Sequence, residues 1–117
     1  MIKLANGITL EPIIVLGEKS HVMGKVRDVL TFVFEEQSMD ALDNVFTAEN
    51  CASIIVVEEE NEYSYENYVI RAGLEKKTEL NEANEYVTRI HVKMAQKSLE
   101  EIEMEDMRAA LELLGVN

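Results

Sequence analysis

The ten residues from Tyr86 to Ala95, "YVTRIHVKMA", alternate without a break: Tyr86, Thr88, Ile90, Val92 and Met94 on one side, Val87, Arg89, His91 and Lys93 on the other. A period of two marks a strand with one face on a core and the other toward water. Upstream, "DVLTFVFEE" (28–36) sets Leu30, Phe32 and Phe34 on one face and Val29, Thr31 and Val33 on the other. Apolar residues on both faces indicate a central strand covered on each side. No helical pattern interrupts the chain between Ala52 and Ala95, whereas parallel pairing needs crossover helices. The expected fold class is therefore α+β: an antiparallel sheet, curled or sandwich-like, with one short central helix and one C-terminal helix.

Outward from these strands, Ile2 to Leu10 reads as an N-terminal hairpin (1–11), with Asn6-Gly7 supplying a type I′ turn. Pro12 donates no amide hydrogen, so the pairing ends or changes direction there. Ile13 to Gly17 resumes as a strand. The polar segment between Gly17 and Gly24 reads as a loop carrying a short strand at His21 to Met23, or alternatively as a hairpin tip. Ser38 is placed to cap a short amphipathic helix, Met39 to Phe46, with Met39, Leu42, Val45 and Phe46 on one stripe.

"ASIIVVE" (52–58) is too continuous in apolar residues for a one-sided position, so it reads as interior. "EEENEYSYEN" (58–67) then reads as the turn region of a long hairpin whose return strand is "YVIRAGLEKKTEL" (68–80), with "NEANEY" as the next turn. The last helix, 97–115, opens on Ser98 and Glu101 at capping-box spacing. It carries Leu99, Ile102, Met107, Ala110, Leu111 and Leu114 as an apolar stripe and ends on Gly115. A start near Met104, after an extended Leu99 to Ile102, is the competing boundary.

A chain of 117 residues fits one α+β domain, 1–117. Its 23 acidic against 11 basic residues give a net charge of −12, which repels phosphate backbones and anionic membranes. Neither nucleic acid nor membrane is an expected partner. The longest apolar runs fall far short of the roughly 20 residues that cross a bilayer, and no secretory core is visible. Cytoplasmic synthesis is expected. Cys51 is the single cysteine, so an internal disulfide and a CxxC metal site are both excluded, and it reads as a small buried residue.

No phosphate-binding glycine loop, nucleophile elbow, HExxH pair or nucleotide fingerprint occurs, so neither a catalytic residue nor a cofactor or metal site is expected. The acidic run Glu58, Glu59, Glu60 and Glu62 has the oxygen donors of a calcium site but not its Asp and Gly pattern, and reads as a solvated tip. Arg89, His91 and Lys93 form a basic stripe on an acidic protein, a place for an acidic neighbour or a second copy to dock. Tyr63 and Tyr65 share a face in a polar setting and suit either protein contact or cross-strand packing. With Ile8 and Leu10 of the hairpin, these make the candidate partner-binding set: Ile8, Leu10, Tyr63, Tyr65, Arg89, His91 and Lys93. The carboxylates Glu100, Glu101, Glu103, Glu105 and Asp106 crowd the start of the last helix. They read as a solvated face or as a mimic of nucleic-acid phosphates.

"RDVLTFVF" (27–34), "LDNVF" (42–46) and "MAQ" (94–96), with the opening "IKLANGITL", resemble the words shared by a group of small phage and prophage proteins of Gram-positive, clostridial-type bacteria. The resemblance covers most of the chain. It implies a virion-related role in tail or baseplate structure or assembly, and leaves open whether the chain stays in the particle; the expected partners are the chain itself, as a homo-oligomer, and other phage tail proteins. It implies no catalytic residue. Two other readings stand beside it: an acidic nucleic-acid mimic that inhibits a DNA-binding protein, and a small metal-dependent module using His21, His91 or the Glu58 to Glu62 tip.

Overall fold

Every residue from Val29 to Phe34 is buried, and the reason is the position of its strand between two others and beneath a second layer. A computed structural model describes residues 1–115; the expected domain limit at 117 lies outside them. In chain order the described elements are β1 (Ile2–Leu4), β2 (Thr9–Leu10), β3 (Ile14–Val22), β4 (Lys25–Glu35), α1 (Met39–Val45), a 3-10 turn at Asn50–Ala52, β5 (Ser53–Glu58), β6 (Asn61–Glu66), β7 (Ile70–Leu80), β8 (Tyr86–Ala95) and α2 (Leu99–Leu113). They form two four-stranded antiparallel sheets, β2-β1-β5-β6 and β3-β4-β8-β7. The fold is α+β, and neither sheet closes on itself.

The core lies between the sheets. Leu30, Phe32 and Phe34 of β4 and Ile90, Val92 and Met94 of β8 face Ile2, Leu4, Ile54 and Val56 of the other sheet, and α1 adds Leu42 and Phe46. Phe46 sits between two rings of β4, with centroids 5.3 Å from Phe32 and 5.8 Å from Phe34. Burial of such side chains contributes about 1.5–3 kcal/mol each. Ser38 caps α1 as its side chain suggested, accepting from the Ala41 amide at 3.2 Å. The far end of α1 is tied to β7: Arg71 donates to Asp43 Oδ1 at 2.6 Å and to the Phe46 carbonyl at 2.6 Å.

Four local expectations are corrected. In the first hairpin only Gly7 has a positive φ, +89°, and the Gly7 amide donates to the Leu4 carbonyl at 2.9 Å. The turn is a type I turn followed by a left-handed glycine, a three-residue loop rather than type I′. The two-residue turn with positive φ at both centres is instead Met23-Gly24, at +50° and +84°. It makes the segment from Gly17 to Gly24 the tip of the β3–β4 hairpin, paired from Ile14 opposite Val33 to Val22 opposite Lys25. That segment is no loop.

The long hairpin from β5 to β7 does not form. Asn61 to Glu66 is itself a strand, paired with β5 from Ser53 opposite Glu66 to Glu58 opposite Asn61, and the chain then crosses to the other sheet, where β7 pairs with β8. Polar residues at four of the six positions of β6 hid it, because an edge strand with one wet face lacks an apolar run. β5 is interior to its sheet as expected, yet only Ile54 and Val56 are buried while Ile55 and Val57 are partly exposed. Its outer face is uncovered.

The last helix begins where the capping box places it, with the Ser98 hydroxyl accepting from the Glu101 amide and the Glu101 carboxylate accepting from the Ser98 amide. Gly115, at φ +71°, ends it as read. Its stripe, however, is not part of the core: no residue of α2 is buried. The radius of gyration is 16.5 Å against about 13 Å for a compact chain of this length. The molecule is elongated, 60 × 31 × 25 Å, and α2 leaves the sheet at the end of β8, opposite the Asn81–Glu85 turn.

Candidate interaction surfaces

Three surfaces gather the residues singled out from the sequence. The first is the outer face of the β3-β4-β8-β7 sheet, where register places Arg89, His91 and Lys93 of β8 beside Glu35, Val33 and Thr31 of β4. The basic stripe is already matched within the chain. Glu79 Oε1 lies 3.2 Å from His91 Nε2 and 3.8 Å from Arg89 Nη1, and Lys93 Nζ lies 3.7 Å from Glu18 Oε1. His91 is also largely covered, its side chain 13% exposed, where the sequence suggested a wet face. Partners on β7 and β3 remove the charge excess that made this stripe a docking site.

The second is the mouth of the sandwich between the free edges β3 and β6. Tyr63 lies opposite Val56 and Tyr65 opposite Ile54, so both point to the inner face. Tyr65 packs on the core and meets Tyr68 edge to face, with centroids 5.7 Å apart, while Tyr63 remains exposed. With Val15, Gly17 and Leu30 they line two adjoining depressions of about 290 and 240 Å³. Burial, then Asp28 and Tyr65, push the Tyr68 phenol above its ordinary value. The first hairpin contributes little here: Leu10 packs on its own chain's core, and Ile8 is exposed beside the turn.

The third surface is α2. Sequence reading found the helix and its cap but not what holds it. The Arg27 side chain is 3% exposed. It donates through Nε to the Val22 carbonyl at 2.8 Å, through Nη1 to the Gln96 carbonyl at 3.1 Å, and through both Nη atoms to the Glu101 carboxylate. Lys25 Nζ adds a bond to Ser98 Oγ at 2.8 Å. Hydrogen bonds from Arg27 and from Ser98 hold the Glu101 carboxyl well below the usual carboxylate range, and Glu101 in turn keeps Arg27 charged. The signal was present in "RD" before the central strand, since a cation at the mouth of a hairpin needs a counter-charge once covered. Nothing in the spacing pointed 74 residues ahead.

Beyond this clamp α2 stands free. Met104, Met107, Leu111 and Leu114 are 62, 66, 47 and 77% exposed, and they recur at intervals of three, four and three. Of the acidic cluster at its start, Glu101 is bound to Arg27 and Glu105 to Lys97.

Cys51 is fully buried, and burial pushes its thiol up to about 11, so it stays protonated at neutral pH. Glu58 to Glu62 form an exposed turn and strand start at the β5–β6 tip. Among the described residues no group of three or more His, Cys, Asp and Glu side chains is arranged to hold a metal ion, and no helix is long and apolar enough to cross a membrane. No family model, curated protein or solved structure matches the chain.

Proposed function

We propose that this chain is a non-enzymatic structural or assembly protein of a phage or prophage tail or baseplate, acting through protein–protein contacts and made in the cytoplasm of a bacterial host. The observation that carries the reading is α2: a helix capped, clamped at its base by Arg27, and holding six large apolar side chains in solvent, among them the Met104, Met107, Leu111 and Leu114 stripe. Such a stripe is unfavourable to expose and gains its free energy only when covered by another protein surface. The free strand edges β3 and β6 offer a second mode, pairing with a neighbouring strand while alternate side chains select the partner. The words shared with phage and prophage proteins supply the setting.

The nucleic-acid mimic draws less support, because two of its five clustered carboxylates, Glu101 and Glu105, are taken up by Arg27 and Lys97. The test is biochemical. Particles and assembly intermediates are purified from cells producing the chain with its co-encoded tail proteins and analysed by mass spectrometry. The chain is expected in stoichiometric amount with tail or baseplate components; its absence from both fractions would defeat the reading.

A further inference from the structure

We infer that α2 pairs with α2 of a second copy of this chain as a short parallel coiled coil, with Met104, Met107, Leu111 and Leu114 as the seam. This deepens the assembly reading by naming one partner and rests on it only for its setting. Apolar residues at three-four-three spacing occupy the a and d positions of successive heptads, so all four face one side of a helix with 3.6 residues per turn. All four are exposed; Leu99 and Leu113 of the same helix are exposed as well and fall at c, off the seam. The preceding seam position is Glu100, so contact starts at Met104, about one turn clear of the sheets.

Charge chooses the partner and the direction. With Met104 at a, Glu103 falls at g and Arg108 at e, five residues apart, which is the offset that brings g of one helix to e of its parallel neighbour. Each pair of helices then gains two Glu103–Arg108 contacts. In an antiparallel pair, g meets g and e meets e, so Glu103 would face Glu103 and Arg108 would face Arg108. Neither residue has an ion-pair partner among the described residues of its own chain. Asp106 and Glu112 lie at c and b, away from the seam, and so does Glu105, which is bound to Lys97.

Two heptads are short for a coiled coil, because an isolated helix of this length is marginal in water. Here the first turn is already built: the Ser98 and Glu101 capping box and the Arg27 clamp fix the start of α2 before any partner arrives. The seam is smaller than the roughly 800 Å² per partner of a standard interface. The pair therefore forms at high local concentration, as when other contacts already hold the bodies side by side.

Sedimentation equilibrium of the full chain from about 1 µM to about 1 mM reads the pair by mass action. The mass is expected to rise with concentration toward twice the 13.3 kDa of one chain. Leu111→Glu, at an exposed position, is expected to keep the fold by circular dichroism and abolish the rise. Glu103→Arg and Arg108→Glu are each expected to weaken the pair about threefold or more, and the double exchange to restore it. Met107→Cys is expected to form a 107–107 disulfide on mild oxidation, since a parallel, in-register pair sets the two thiols side by side.

A mass that stays at one chain throughout, with no cross-link from Met107→Cys, overturns the proposal. So does protection of α2 from hydrogen exchange that appears only when a different co-encoded protein is added. A chain found in tail particles yet monomeric by these measures removes the coiled coil and leaves the assembly reading standing. A dimer that is never found in particles does the reverse.

Discussion

The Arg27 guanidinium meets the Glu101 carboxylate with two parallel hydrogen bonds, Nη1 to Oε1 at 2.5 Å and Nη2 to Oε2 at 2.9 Å. Paired forks of this kind are the strongest side-chain geometry available to a carboxylate. The same Arg27 holds the Val22 and Gln96 carbonyls, so one side chain joins the tip of the β3–β4 hairpin, the end of β8 and the first turn of α2. Replacing it with alanine is expected to free α2 while the sandwich persists. Amide exchange along α2 is expected to speed up on the order of tenfold or more, with the β4 and β8 amides changing less.

Acid releases the same clamp. The folded-state pKa of Glu101 is depressed by Arg27 and Ser98, so the unfolded chain takes up its proton first as pH falls. The stabilisation is complete above the ordinary carboxylate value of about 4.3 and declines as pH drops from there toward the lower folded value. Glu101→Gln is expected to flatten the acid limb of the stability curve measured by denaturant unfolding at a series of pH values. An unchanged slope below pH ~4 would show that the clamp does not contribute.

Cys51 behaves in the opposite sense. Burial raises its folded pKa to about 11, so its contribution is full below the unfolded thiol value of about 8.5 and is lost as pH rises between the two. A thiol reagent applied at mildly alkaline pH is expected to label the folded chain only at the rate of its opening, and to label it at once in denaturant.

Phe46 and Arg71 act on one joint. Phe46→Ala empties the space between Phe32 and Phe34 and is expected to cost about 3–5 kcal/mol. Arg71→Lys keeps the charge but cannot reach both Asp43 and the Phe46 carbonyl, with an expected cost of about 1–2 kcal/mol. Arg71 Nε is buried without a hydrogen-bond partner among the described residues, and lysine removes that atom, so the loss falls at the lower end. Chemical denaturation checks both.

Met23 holds the first position of a two-residue turn at φ +50°, a conformation that asparagine adopts far more readily than methionine. Met23 is also exposed, so nothing is lost from the core on replacing it. Met23→Asn is expected to stabilise the chain by about 0.5–1 kcal/mol, seen as a higher denaturant midpoint with an unchanged slope.

Strands with a clear period were legible from the sequence: β4, β8 and the α1 cap stand where their residues put them, and the antiparallel α+β class follows from them. Two features were not legible, for different reasons. β6 has a polar outer face and an edge position, so its pattern is that of a turn until β5 is known to need a partner. A bulge between Arg71 and Gly73 shifts the pairing of β7, so its alternation does not run true. The α2 stripe was read correctly as amphipathic, but periodicity reports that a face is apolar and not what covers it. Likewise the basic residue types Arg89, His91 and Lys93 were visible, while the carboxylates of Glu79 and Glu18 that meet them lie on other strands.

β8 begins at the Asn81–Glu85 turn and ends at the foot of α2, and its ten residues are already extended. At about 3.3 Å per residue it spans roughly 33 Å with almost no slack. A pull between the two ends of the molecule is therefore carried along covalent bonds, and no hydrogen bond has to break before the load is borne. The distance between the Asn81–Glu85 turn and the foot of α2 is held fixed under tension, as by a tie rod.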